Sequence, residues 1–118
     1  MHVTRIDEAP TYQAPNHIDM RCLRLQGHAA SDTRQMWMGL SLIEPGGHTA
    51  LDGSAIEKLY FVVEGEVRMV AESATGERQS QLLGPRDSCV FAPGEKRQLI
   101  NESDRPAAVL LVMAHQPP

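Results

Sequence analysis

An all-β fold, a sandwich or barrel of short strands, is what this sequence predicts, and three observations predict it. Turn-forming residues punctuate the chain at Pro45-Gly46-Gly47, Asp52-Gly53, Glu64-Gly65, Thr75-Gly76, Gly84-Pro85 and Pro93-Gly94. Intervals of roughly 5 to 12 residues between them hold strands but hardly helices. From Glu66 to Glu72, Val67, Met69 and Ala71 alternate with Arg68, Val70 and Glu72, the two-residue period of a pleated strand. The apolar run Val109-Leu110-Leu111-Val112-Met113 suits a strand covered on both faces.

In chain order, residues 7 to 19 carry Pro10, Pro15, Asn16 and His17 without a clear period. Residues 1–19 therefore read as an irregular arm that crosses the surface or packs on a partner. Strands follow from Met20 to Leu25 and from Met36 to Glu44, the second almost wholly apolar. Further strands run from Lys58 to Val63, Glu66 to Glu72, Gln79 to Leu83 and Ser88 to Phe91, then from Arg97 to Asn101 and Ala107 to Ala114. With 118 residues and no repeat, low-complexity tract or linker, the chain reads as one domain, 1–118, large enough to bury a real core.

Composition excludes several functions. A hydrophobic share of 42% and a charged share of 22% are ordinary for a soluble globular protein. Eleven Lys and Arg against fifteen Asp and Glu give a net charge of −4, which argues against a surface built to neutralise phosphates, so no nucleic-acid partner is expected. No apolar run approaches the roughly 18 to 20 residues of a membrane-spanning helix, and the start lacks the order of a signal peptide, so no membrane partner is expected either. Cys22 and Cys89 are isolated and read as two free thiols rather than a disulfide, which makes a cytoplasmic setting the expectation. No glycine-rich phosphate cradle is present, and five scattered aromatics do not make a base-stacking platform. Trp37, between Met36 and Met38, reads as core or dimer interface rather than as part of a substrate site.

The stretch from Pro45-Gly46 through Tyr60-Phe61-Val62-Val63-Glu64-Gly65-Glu66-Val67 resembles the first motif of the cupins: Gly, five residues, His-x-His, three or four residues, Glu, six residues, Gly. Gly46 and Gly65 fall on its two glycines without insertion. Gly94 and Asn101 take the outer positions of the second motif, Gly-x-x-His-x-x-x-Asn, with Asp87 and Pro93 before them. The resemblance covers residues 46–101 directly. It implies a single cupin domain, a small jelly-roll barrel with a ligand cavity inside, paired as a homodimer. Apolar strand faces such as Leu59, Phe61 and Val63 fit that pairing.

Cupins that bind a divalent metal use two His, one Glu and a third His at positions that here carry Asp52, Ser54, Lys58 and Arg97. Arg86 and Ala92 also replace the usual Gly and Pro of the second motif. Lysine must lose its proton to coordinate and arginine effectively never does, so the metal site reads as lost and no cofactor is expected. Strand alternation places Lys58 and Tyr60 on one face, and Asp52 and Ser54 on another shared face. A small anionic metabolite suits this set. Arg97 would clamp a carboxylate and Lys58 supply charge or a proton, with Asp52 as base, and Ser54 and Tyr60 would donate hydrogen bonds. His48, in the loop after Pro-Gly-Gly, is a further acid–base candidate.

The expected function is thus metal-independent binding of a small carboxylate, with isomerisation, decarboxylation or elimination as the reaction class. Three alternatives stand beside it. One is a binding or sensing module without turnover. Another is a metal-dependent dioxygenase or isomerase with noncanonical ligands, since His2, His17, His28, His48 and His115 show no ligand spacing but can converge in space. The third is structural: an Asp52–Lys58 ion pair with Arg97 on a backbone carbonyl. A one-residue slip would turn Glu57 inward and Lys58 outward.

Overall fold

The structure, a computed structural model, describes residues 1–116, so the last two positions of the expected 1–118 domain lie outside the described residues. A 3-10 turn at Ile6–Glu8 precedes β1 (Thr11–Tyr12), β2 (His17–Gln26), β3 (Met36–Thr49), β4 (Asp52–Gly53) and β5 (Lys58–Glu64). β6 (Val67–Glu72), β7 (Arg78–Leu83), β8 (Ser88–Phe91), β9 (Lys96–Ile100) and β10 (Ala107–Ala114) complete the chain. The strands run β7-β6-β9-β3-β10-β5-β8, with β2 beside β3, β1 beside β2, and β4 beside β9. The sheet curls into a nearly closed jelly-roll barrel, as the sequence predicts. No described helix is long and apolar enough to cross a membrane.

Alternation sorts the side chains. On β10, Val109, Leu111 and Met113 face inward with Ile43, Val62, Val67 and Leu99. Its neighbours Leu110 and Val112 are half-buried on the outer face. They share that face with Leu59, Phe61 and Val90, their partners across the ladders. Both cysteines are free thiols, Cys22 buried and Cys89 half-buried.

Three local expectations are corrected. Part of the arm is ordered strand: β1 and the first residues of β2 lie within residues 1–19, because Thr11 and Tyr12 pair with Leu23 and Cys22. Asp52-Gly53 is a short strand rather than a turn, paired to Arg97 and Lys96. Pro45-Gly46-Gly47 does not end a strand. β3 runs through it, since Gly46 N–H donates to the Asn101 carbonyl (2.8 Å) and Asn101 N–H to the Gly47 carbonyl (2.9 Å). The glycines let the strand bend there. Gly46 takes φ +82°, and a Cβ on Gly47 would lie 2.5 Å from the Asp19 carbonyl oxygen, an approach only glycine permits.

The bend is held by Asn101, whose side chain is fully buried. Its Nδ2 donates to the carbonyls of Ile43 (2.9 Å) and Arg105 (2.7 Å), while Oδ1 accepts from Ser103 N–H (3.0 Å) and Ser103 Oγ (2.7 Å). All four bonding positions of the amide are used. Asn101→Leu would take the side-chain donor from the buried Ile43 carbonyl and the acceptor from Ser103 N–H, and should destabilise the fold by about 3 kcal/mol. Chemical denaturation checks this, and a loss below about 1 kcal/mol would contradict the assigned role.

Candidate functional site

The bend in β3 carries Thr49 across the barrel mouth, where β2, β4, β5 and β9 meet. Beneath them lies a half-enclosed cavity of about 360 Å³, large enough for a ligand of one or two rings. Asp52, Ser54, Lys58, Tyr60 and Arg97 all line it. His48 does not. It sits one residue before the inward-facing, buried Thr49 and bonds through Nδ1 to the Gly46 carbonyl at 3.2 Å, so alternation turns it outward. The expectation of His48 as an acid–base group of this cavity is therefore corrected. Glu57 is exposed while Lys58 is 8% exposed, so the register does not slip.

Lys58 Nζ donates to Ser54 Oγ at 2.8 Å. Arg97 Nε donates to Tyr60 Oη at 3.0 Å, leaving the outer guanidinium edge for a ligand. Asp52, at the rim, accepts from Asn16 Nδ2 at 3.3 Å. Among the described residues the ion pairs are Arg68–Glu102, Arg78–Glu72 and Lys96–Glu72. None involves Lys58 or Arg97. The structural alternative of an Asp52–Lys58 pair, with Arg97 on a backbone carbonyl, is not what forms. Two cations face the cavity without a carboxylate in ion-pair reach.

Burial, and then the charge of Arg97, push the Lys58 ammonium below the ordinary lysine value, with Asp52 pulling weakly the other way. Burial raises the Tyr60 phenol against the opposing pull of Arg97. Tyr60 therefore stays a neutral donor or acceptor at physiological pH.

Sequence reasoning missed part of the wall. Tyr12, Pro15 and His17 come from the stretch read as an irregular arm, and Ser41, Thr49 and Trp37 from β3. Tyr12 and Trp37 meet edge to face at 6.0 Å, and the Arg24 guanidinium lies 3.5 Å above the Tyr12 ring. Burial and the nearby Cys22 push the Tyr12 phenol up to about 12. A signal was present in Tyr12, a β-forming aromatic, but a two-residue strand is too short to show a period.

The site does not fit the divalent metal that cupin folds imply. At the four expected positions the donors are one carboxylate, one hydroxyl and two cationic groups that are themselves hydrogen-bond donors. Among the described residues no cluster of three or more His, Cys, Asp or Glu could replace them.

A small β-barrel with a polar, doubly cationic cavity at one mouth defines the class of protein. No protein-family profile matches the chain. The sequence is 37% identical over 115 residues to a β-D-galactosidase of Mycobacterium tuberculosis, covering 98% of this chain and 95% of the relative. Among solved structures, the polyketide cyclase RemF from Streptomyces resistomycificus superposes with a TM-score of 0.84 at 16% identity, over 100% of this chain and 82% of that one. A sugar phosphate isomerase of the cupin superfamily from Silicibacter pomeroyi gives a TM-score of 0.68 at 25% identity, over 84% and 61%. The chain belongs to the cupin superfamily.

A buried charge whose partner is a hydroxyl rather than a carboxylate costs stability. Lys58→Met should therefore raise the melting temperature by about 3–6 °C at neutral pH. The folded state depresses the Lys58 pKa, so the wild type should also gain stability as pH rises through that lowered value toward the unfolded one, and the variant should not. Thermal unfolding of both proteins across pH tests this. A variant less stable at every pH would show that Lys58 is a structural tie.

Proposed function

We propose that this cupin binds a small organic carboxylate in its barrel without a metal, and that the ligand is a carbohydrate-derived acid. The observation that carries the reading is the pair of cations, Lys58 and Arg97, lining one cavity with no carboxylate in ion-pair reach. Arg97 offers its free edge to both oxygens of a carboxylate. Lys58 adds a compact charge held in place by Ser54, and Asp52 and Tyr60 take ligand hydroxyls. The carbohydrate part is supported by the relative's name, a β-D-galactosidase, and by the sugar phosphate isomerase among the structural neighbours. Isomerisation, decarboxylation or elimination are the reactions such a site would serve.

A second reading is favoured by the 37% identity itself: hydrolysis of a β-galactoside. Glycoside hydrolysis ordinarily uses two carboxyl groups flanking the bond, and Asp52 is the one carboxylate among the described residues lining this cavity. The carboxylate reading accounts for Lys58 and Arg97 as well, and therefore leads.

Calorimetry with D-galacturonate tests it. The wild type should bind, and Arg97→Ala should weaken binding at least about tenfold, the value of a lost charge-assisted pair. Affinity should fall as pH rises through the lowered Lys58 value, earlier than an ordinary lysine would allow. Binding by Arg97→Ala and Lys58→Ala unchanged from the wild type would sink the proposal. Release of nitrophenol from a nitrophenyl β-galactoside, with no binding of the acid, would put the hydrolase first.

The proposal extends to a cytoplasmic homodimer. Two free thiols accord with a reducing compartment. The outer face of β3, β10, β5 and β8 presents Met38, Leu40, Leu110, Val112, Leu59, Phe61 and Val90 in register. At about 4.8 Å between strands and 3.3 Å per residue, the face spans on the order of 300 Å². That matches the apolar centre of a standard interface of about 800 Å² per partner with a polar rim, and a second copy of the same face is its occupant. Sedimentation at micromolar concentration should give twice the chain mass, and Phe61→Glu should give the monomer.

A further inference from the structure

His17 opens β2 opposite the buried Thr49 and lines the same cavity as Lys58 and Arg97. Its Nδ1 lies 2.7 Å from the Pro15 carbonyl oxygen. A carbonyl oxygen only accepts, so Nδ1 carries a proton, and in the neutral ring Nε2 is the atom with the lone pair. The chain itself builds this lock. Asn16 reverses direction with φ +58°, which brings the Pro15 carbonyl back over the ring, and its side-chain amide ties the turn to Asp52 on β4. Among the described residues no other histidine lines the cavity. His28 and His115 meet edge to face at 5.0 Å, with His28 edge to face against the Trp37 ring, and His48 faces outward.

We infer that His17 is the proton-accepting base of this site, acting through Nε2 on the carbon next to a carboxylate held by Arg97. The inference rests on the carboxylate reading above and assigns it a reaction class. The C–H bond beside the carboxylate breaks, its proton goes to Nε2, and its electron pair moves into the carboxylate as an enediolate. Arg97 and Lys58 meet the added charge, the role of a preorganised electrostatic clamp. Return of the proton regenerates the acid or its epimer. Expulsion of the oxygen on the next carbon, protonated by Lys58, gives elimination instead. Neither route needs an oxidant, a reductant or any group beyond the substrate and these side chains.

The charged and titratable groups near this ring are Asp52 on β4, Arg97 on β9, Lys58 and Tyr60 on β5 and Tyr12 on β1. Burial lowers the His17 pKa, and Arg97 lowers it further, against the bond to Pro15 and the charge of Asp52. The imidazole is thus neutral, and able to accept, down to a more acidic pH than a free histidine. Lys58 is a poorer base here, since its ammonium donates to Ser54 and supplies compensating charge. Asp52 lies at the rim with an amide already on it.

The test is the full chain with D-galacturonate in D₂O, following the C5 proton by NMR while calorimetry reports binding. The wild type should wash out that proton. His17→Asn keeps a donor for the Pro15 carbonyl but has no Nε2. It should bind within about threefold of wild type and exchange at least about a hundredfold more slowly. The wild-type rate should fall with acid only below the ordinary histidine range, a readout that stands even if the variant fails to fold. Binding without exchange, exchange undiminished in His17→Asn, or a rate that rises only in the alkaline range would each overturn the base assignment while leaving the carboxylate reading in place. Absence of binding by the wild type would overturn that reading and this inference together.

Discussion

The site depends on one buried amide. Asn101 fixes the place where β3 stops following β10 and crosses toward β9, and the crossing makes a barrel of what would otherwise be an open sheet. Gly46 and Gly47 permit the bend, but permission does not choose an angle. The choice comes from the bonds of Asn101 to the Ile43 and Arg105 carbonyls, on the two segments that part there. From that corner the rest of the mouth follows. Thr49 Oγ1 accepts from Leu99 N–H at 3.0 Å and the Thr49 carbonyl accepts from Gln98 Nε2 at 2.9 Å, so the end of β3 is stitched to β9. β9 in turn sets the register that places Asp52 opposite Arg97. A rigid corner built from backbone partners is what keeps polar side chains aimed at a common point.

Within that frame the two cations carry a desolvation cost that Asp52, at the rim, offsets only in part. Lys58 is nearly as buried as its apolar neighbours on β5, yet its one hydrogen-bond partner is a hydroxyl. Arg97 is bonded to a phenol whose burial keeps it neutral. The remaining surface ion pairs lie elsewhere, on the outer side of β6, β7 and β9. A structural role for the charges would place carboxylates beside them, as Glu72 stands beside both Arg78 and Lys96. Unrelieved charge around a cavity is the arrangement expected when the missing partner is a ligand.

Much of the fold was legible because its signals are local. The strands from β5 to β10 follow from alternation and from glycine or proline at their ends, and Lys58, Tyr60 and Arg97 follow from motif spacing along regular strands. What the sequence hid is non-local. The bend at Gly46-Gly47 reads as a turn, since the partner that keeps it in the ladder, Asn101, lies more than fifty positions away. β4 reads as a turn for the same reason, because Asp52-Gly53 owes its extension to β9. His17 was passed over within an aperiodic stretch, and its inward aim comes from the pairing with Thr49, on the far side of that bend. His48 drew attention from its loop position, which vanished once the loop proved to be strand.

The same two substitutions that remove the metal reading create the anion reading, and this links the chemistry to the relatives. Cations at positions where cupin metal ligands would sit give the cavity a field that, on the proposed reading, suits an anion rather than a cation. Glycoside chemistry in such a field lacks a pair of carboxyl groups, because Asp52 stands without a second among the described residues lining the cavity. It can lean on acidity that the ligand carries itself. On the proposed reading, a carboxylate beside a C–H bond, with its charge met by Arg97 and Lys58, would make that proton removable by a neutral imidazole. On the proposed reading, a sugar acid would react at the ring carbon beside its carboxylate, by proton transfer rather than by water. The cavity's charge, the lone carboxylate and the tautomer fixed on His17 all point the same way, and each comes from a different strand.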